Sequence, residues 1–302
     1  MNSRSGWNWR RTWPLHLLVL PSVVLVLLFN YTPMLGLVMA FQDYKPYLGF
    51  TKSAWVGLDH FKFMFQMPDS KQIIWNTLLI ASLKIVVGFI VPFVFALLLN
   101  EVRIHFLKRS IQTLVYLPHF LSWVILGGIL LDMLSIKYGI VNQILGELGI
   151  KPIYFLGHGD WFRFTLVVSD TWKEFGFSAI IYLAALAGVH PALYEAAEMD
   201  GANRMQQTLH VTIPSVLPIA AVVVTLSLGR VLDGNFEQVY MLLNPLVMSK
   251  GDIIDTFVYR TGLIDNNFSF AAAVGVFKSV ISFILVLVTY RLAHRYANYR
   301  IF

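Results

Sequence analysis

Long apolar runs separated by short polar stretches fill the chain from end to end. They cover 15–29 with a continuation through 34–41, then 73–99, 112–134, 164–189, 215–232 and 271–292. Each approaches or exceeds the ~20 apolar residues with which a helix crosses a bilayer. The pattern predicts an all-α membrane protein of about six transmembrane helices, organised as one membrane domain over 1–302. The run at 73–99 is longer than a bilayer requires and is free to tilt. No tandem repeat, low-complexity tract or soluble domain interrupts the order.

Charge supplies an orientation. Segment 1–14 carries Arg4, Arg10 and Arg11 with Trp7, Trp9 and Trp13 and no acid. Arg103, Lys108 and Arg109 face Glu101 alone after the second run, and Arg291, His294, Arg295 and Arg300 gather after the last. Short cytoplasmic loops are enriched in Lys and Arg, and Trp favours the membrane interface. The expected topology places segment 1–14, loop 190–214 and tail 293–302 in the cytoplasm, and 42–71, 139–160 and 233–270 outside. A cleaved signal peptide is the rival for the first run, but no small-residue cleavage site follows it.

Composition agrees with this reading and removes several functions. Of 302 residues, 57% are hydrophobic and 13% charged, far more apolar than a soluble domain. The chain has no cysteine, which excludes disulfides, thiolate metal sites and thiol nucleophiles. A net charge of +6 does not indicate nucleic acid, because the basic residues are dispersed over loops and termini without an aromatic-interleaved basic run.

The polar interruption 194–218 carries the sharpest signal. It reads YEAAEMDGANRMQQTLHVTIPSVLP. Pro191 suits a first helical position, Gly201 permits a turn that a side chain would oppose, and Pro214 is expected to close a second helical stretch. Glu195-Ala196-Ala197, Gly201, and then Val211-Thr212-Ile213-Pro214 at their spacing resemble the EAA loop of bacterial ABC importer permeases. Segments 31–44, 55–61, 116–120, 172–185 and 236–242 resemble the polysaccharide-type branch of sugar ABC permeases. The resemblance implies a type I importer permease fold in the bacterial cytoplasmic membrane. It also implies that Glu195, Ala196, Ala197, Asp200, Gly201 and Arg204 form a coupling helix and turn that dock on an ATPase. The implied assembly contains a second related permease, two ATPase subunits and an extracytoplasmic solute-binding protein, with a carbohydrate as substrate. ATP and magnesium would be bound by the ATPase, with no cofactor in this chain.

Other chemistry finds little support. No Gly-rich run ends in Gly-Lys-Ser/Thr, so no phosphate-binding loop is visible. The histidines are scattered without metal-site spacing, and no catalytic residue is assigned. Lys84, Asp170, Lys173 and Glu174 fall within apolar runs, where a lipid-facing charge costs about 2.5–3.5 kcal/mol on the lenient scale. They are expected to face protein or water. One reading makes them ion pairs, with one another or with Lys84 and Lys278. The other places Asp170, Trp172, Lys173 and Glu174, with Asp233, Asn235, Glu237 and Tyr240, along a hydrated sugar path, and Asp170, Lys173 and Glu174 share a helix face at i,i+3 and i,i+4. The sequence leaves both open. Rival functions are an ion-coupled secondary carrier, which should show inverted repeats, an ABC permease for a non-sugar solute, and an intramembrane enzyme.

Overall fold

The structure, a computed structural model, describes residues 9–229 and 231–297. Arg4, Arg230 and Arg300 lie outside the described residues, as do 1–8 and 298–302 of the two terminal segments. Helix accounts for 79% of the described residues. Helix α1 (Trp9–Val26) continues through a π turn and a 3₁₀ stretch to Phe41. Strand β1 (Gln42–Asp43) pairs antiparallel with β2 (Ala54–Trp55) around α2 (Gly49–Lys52). There follow α3 (Asp59–Gln66), α4 (Pro68–Asn100), α5 (His105–Tyr116), α6 (Trp123–Met133), α7 (Ile140–Glu147) and α8 (Gly159–Ala187). The rest comprises α9 (Pro191–Met199), α10 (Arg204–Gln207), α11 (Ile213–Gly229), α12 (Phe236–Leu242), α13 (Met248–Gly251), α14 (Ile254–Tyr259) and α15 (Phe268–Ala297).

Among the described residues, four helical segments are long and apolar enough to cross a membrane: Thr12–Phe41, Pro68–Asn100, Arg204–Gly229 and Phe268–Val288. The number rises to six when two bent pairs are each counted as one span. The expected third span is one of these pairs, with α5 and its 3₁₀ extension meeting α6 at 99°. Two local choices break it. Pro118 lacks an N–H and tightens Leu117–Phe120 into a 3₁₀ turn. Ser122 is extended, with its hydroxyl accepting from the Ile125 N–H at 3.4 Å, so α6 starts afresh.

Two further expectations are corrected. Pro214 does not end a helix, because Arg204–Gly229 runs as one span through it. A π turn at Thr208–Thr212 precedes Pro214, and there Ile213 N–H bonds to Thr208 O. The altered register accommodates a ring that would collide with the preceding turn of a regular α-helix. Segment 233–270 is also more than a loop. Its helices α12, α13 and α14 are packed inward, and Val239, Leu242, Val247 and Ile253 join Ile80 of α4 and Phe162 and Leu166 of α8 in one core cluster.

A second cluster holds the other end of the bundle, where Ala96 of α4, Ala179 and Tyr182 of α8, and Val216 and Ala220 of α11 meet. Between lipid-bathed helices the hydrophobic effect gives little net drive, so close van der Waals packing through small residues does the holding. Gly176 marks the tightest approach of α8 to α5, where an added methyl would collide with the Val115 carbonyl and lie 2.6 Å from Val115 Cγ1. Gly176→Val is therefore expected to cost about 1–3 kcal/mol, the usual range for overpacking, and to lower the melting temperature of the purified permease. Gly128→Ala meets nothing within 4 Å and should melt no lower than wild type; coincident melting curves for wild type and Gly176→Val would refute the contact.

Candidate functional site

The interruption at 190–214 is a helix–turn–helix built by local caps. Pro191 takes the first helical position of α9, and His190 Nδ1 accepts from the Ala192 N–H at 3.2 Å. At the other end Gly201, at φ 77°, reverses the chain. Its N–H donates to Glu198 O at 3.0 Å and the Ala202 N–H to Ala197 O at 2.9 Å, the paired bonds of a Schellman closure. Asn203 then accepts from the Gln206 N–H at 2.9 Å while the Gln206 side chain accepts from the Asn203 N–H at 2.8 Å. This capping box restarts the helix.

The result displays its polar residues. Glu195, Ala196, Asp200, Gly201 and Arg204 are exposed, Ala197 is half-buried, and Met199 between them is 88% exposed. Sequence reasoning missed two contacts between the turn and the bundle. Tyr194 Oη lies 3.0 Å from Thr212 Oγ1, and Arg204 Nη1 lies 3.3 Å from Glu101 Oε2. The Asn203-to-Gln206 spacing was a readable capping signal; the long-range partners had none.

The embedded charges form a seam rather than one stripe. Lys84 of α4 lies 3.6 Å from Asp170 Oδ1 and donates to Gly234 O at 3.4 Å and to Gln238 Oε1. Asn235 Nδ2 donates to Asp170 at 2.8 Å, and Gln238 Nε2 donates to Leu166 O and Ser169 Oγ, each at 2.8 Å. Lys173 and Glu174 point elsewhere. Glu174 takes Lys173 Nζ at 3.0 Å and His119 Nδ1 at 2.8 Å, and His119 stacks on Phe177 at 4.0 Å. Lys278 of α15 binds Asp233 at 3.1 Å and Asp255 at 2.6 Å. Thus Asp170 and Asn235 meet, Asp233 sits on a different lysine, and Lys173 with Glu174 secures the broken third span.

Trp172, Glu237 and Tyr240 remain outside those pairs. Trp172 is 47% exposed and lines an apolar hollow of about 270 Å³ with Leu130, Leu134 and Val168. Glu237 is exposed. Tyr240 packs with Phe236 at 5.3 Å and Tyr259 at 4.9 Å. Its hydrogen bond to Tyr259, with charge repulsion from that phenol, raises the Tyr240 pKa above the ordinary phenol value.

Long apolar spans, a buried polar seam between them and an exposed helix–turn–helix at one end define a multi-pass membrane transport subunit. The chain belongs to the family of binding-protein-dependent transport system inner membrane components, whose profile matches residues 85–298. The polygalacturonan/rhamnogalacturonan transport system permease protein YteP of Bacillus subtilis (strain 168) is 44% identical over 284 residues, covering 94% of this chain and 88% of its own. Protein LplB of the same organism is 45% identical over 272 residues, covering 90% and 86%. A chain of a bacterial alginate ABC transporter, crystallised in complex with an alginate pentasaccharide-bound periplasmic protein, matches with a TM-score of 0.89 at 37% identity. That match covers 97% of this chain and 98% of the other. The fold is that of a type I ABC permease.

The seam generates a stability test. Lys84→Met strands the Asp170 carboxylate, and breaking a buried pair costs about 3–5 kcal/mol. The yield of folded permease should fall, and Lys84→Met combined with Asp170→Asn should recover part of it, as measured by the monodisperse fraction in size-exclusion chromatography. Equal losses in the single and double variants would show that the pair does not stabilise the bundle.

Proposed function

We propose that this chain is the membrane-spanning subunit of an ATP-driven importer that carries an oligosaccharide delivered by an extracytoplasmic solute-binding protein. The observation that carries the reading is the capped, exposed helix–turn–helix α9–α10, which presents Glu195, Ala196, Ala197, Asp200, Gly201 and Arg204 to a partner. These residues dock on an ATPase subunit, which binds ATP and magnesium and performs the hydrolysis. A second, related permease completes the membrane pathway, and two ATPase subunits complete the assembly. The oligosaccharide assignment is supported by relatives whose names concern pectic sugars and alginate, and by the seam.

The substrate path runs beside Asp170, Trp172, Lys173 and Glu174 of α8 and Asp233, Asn235, Glu237 and Tyr240 at the start of α12. Aromatic faces at Trp172 and Tyr240 suit sugar rings, and the paired charges supply hydroxyl-bonding groups without leaving a lone charge in lipid. The whole of 1–302 is one permease domain in the bacterial cytoplasmic membrane, with segment 1–14, the coupling loop 190–214 and tail 293–302 in the cytoplasm. An ion-coupled carrier is less well supported, because Lys84, Asp170 and Glu174 are already engaged by fixed partners.

Two outcomes test the proposal. Gly201→Val forces a β-branched residue into a backbone conformation that disfavours it. In a complex reconstituted with the ATPase and binding protein, it should abolish substrate-stimulated ATP hydrolysis while the permease remains folded; normal stimulation would end the coupling assignment. For orientation, single cysteines in this cysteine-free chain report sidedness. Trp55→Cys and Leu263→Cys, at positions 69% and 63% exposed, should react with an impermeant maleimide in intact cells, and Phe106→Cys and Met199→Cys, 83% and 88% exposed, only after permeabilisation. The reverse pattern would invert the topology.

A further inference from the structure

Beside the coupling turn lies a polar cleft of about 560 Å³. One wall is the linker between α4 and α5, through Asn100, Glu101 and Arg103; the other is α9 and the turn after it, through Tyr194, Glu198 and Arg204. The walls touch at the Arg204–Glu101 ion pair, whose side chains are 58% and 48% exposed. At that exposure an ion pair adds little to stability, so the fold does not account for the charges gathered here. Arg103 and Glu198 also line the cleft, and among the described residues neither has an ion-pair partner.

We propose that this cleft is a second docking element for the ATPase subunit, engaged together with the coupling helix, so that linker 101–104 is part of the permease–ATPase interface. The inference rests on the reading of α9 as the coupling helix. Continuity identifies the occupant, because Glu198 and Arg204 belong both to the exposed coupling turn and to the cleft. A protein seated on α9 beside Met199 reaches the cleft rim. Charge excludes the lipid alternative. Acyl chains do not enter a lining of carboxylates, guanidiniums and amides, and an anionic headgroup would require cations alone, whereas Arg103 and Glu198 carry opposite signs. Such a mixed pair fits a protein surface offering a carboxylate to Arg103 and a cation to Glu198. The linker continues directly from the last turn of α4, so docking there gives the ATPase a hold on the second span as well as on the fifth.

The test uses the absence of native cysteine. Asn100→Cys reports the linker wall and Met199→Cys reports the α9 face; each is placed in inside-out vesicles with and without the ATPase subunit, and maleimide labelling is timed. Both positions should be shielded when the ATPase is present. Full labelling of Asn100→Cys alongside shielding of Met199→Cys overturns the second docking element and leaves the coupling helix standing, whereas full labelling of both removes the coupling reading itself. Independently, Arg103→Gln should weaken retention of the ATPase on affinity-captured permease about tenfold, the scale for losing one charge-assisted contact, and Arg103→Lys should restore it. Undiminished retention with Arg103→Gln overturns the proposal.

Discussion

A membrane offers no water to a buried polar group, so each such group must find its partner within the protein. This constraint shapes the half of the permease that holds α12 to α14. Short helices α13 and α14 end inside the packed core, where their terminal carbonyls and N–H groups lack intrahelical partners. Helix α4 supplies them. Asn76 Nδ2 donates to Ser249 O and Asp252 O, each at 3.1 Å, and Thr77 Oγ1 accepts from the Ile254 N–H at 2.9 Å. Arg163 of α8 donates to Asn76 Oδ1 at 2.6 Å and to Lys250 O at 2.8 Å, locking α4, α8 and the inserted helices together. Asn142 does the same between α6 and α8, bonding Ser135 O and both backbone groups of Ile153.

The polar seam extends this logic from backbone to charge. Two lysines from different spans grip successive residues of one turn: Lys278 holds Asp233, while Lys84 holds Gly234 O and Gln238. Asn235, at φ 57°, bonds Asp170 from the middle of that turn. A turn tied at three consecutive residues, 233–235, with Gln238 of the following helix held as well, has little freedom. The ties leave over Glu237, Tyr240 and Trp172, and a fixed seam holds them in constant positions.

How much of this could be read beforehand follows the range of the interaction. Apolar runs are local and long, so the span locations emerged from their lengths alone. The turn between α9 and α10 was equally legible, since Pro191 and Gly201 act on their own backbone and the structure gives both the roles their chemistry implies. The break in the third span was written in Pro118 and Ser122, yet an uninterrupted apolar run concealed it, because hydropathy does not respond to a change of direction. Segment 233–270 looked polar enough for a loop; its Gln238, Asp252 and Thr256 are in fact buried. Gln238, the Asp252 carbonyl and the Ile254 N–H find partners some 70 to 180 positions distant, and no periodicity carries that information. The shared helix face of Asp170, Lys173 and Glu174 was real, but neighbours on three other elements divided it.

The two ends of the molecule consequently differ in how they transmit force. At the seam, ties run in several directions and distribute any displacement. At the other end, α9 is separated from α8 by a 67° bend and leans on the bundle through few side chains. One of them, Tyr194, bonds Thr212 within the π turn that opens Arg204–Gly229. Because α10, that π turn and α11 form one continuous helix, the Gly201 turn and the Tyr194 contact join α9 to the fifth span. The route into α8 crosses the Gly188–His190 bend, where the helix hydrogen bonding is interrupted. Of the two, α11 is joined to α9 by the more continuous route, and α11 meets α4 and α8 through Val216 and Ala220 against Ala96, Ala179 and Tyr182. Small residues at that crossing let the backbones approach closely, so the α9 contacts feed into the tightly packed end of the bundle.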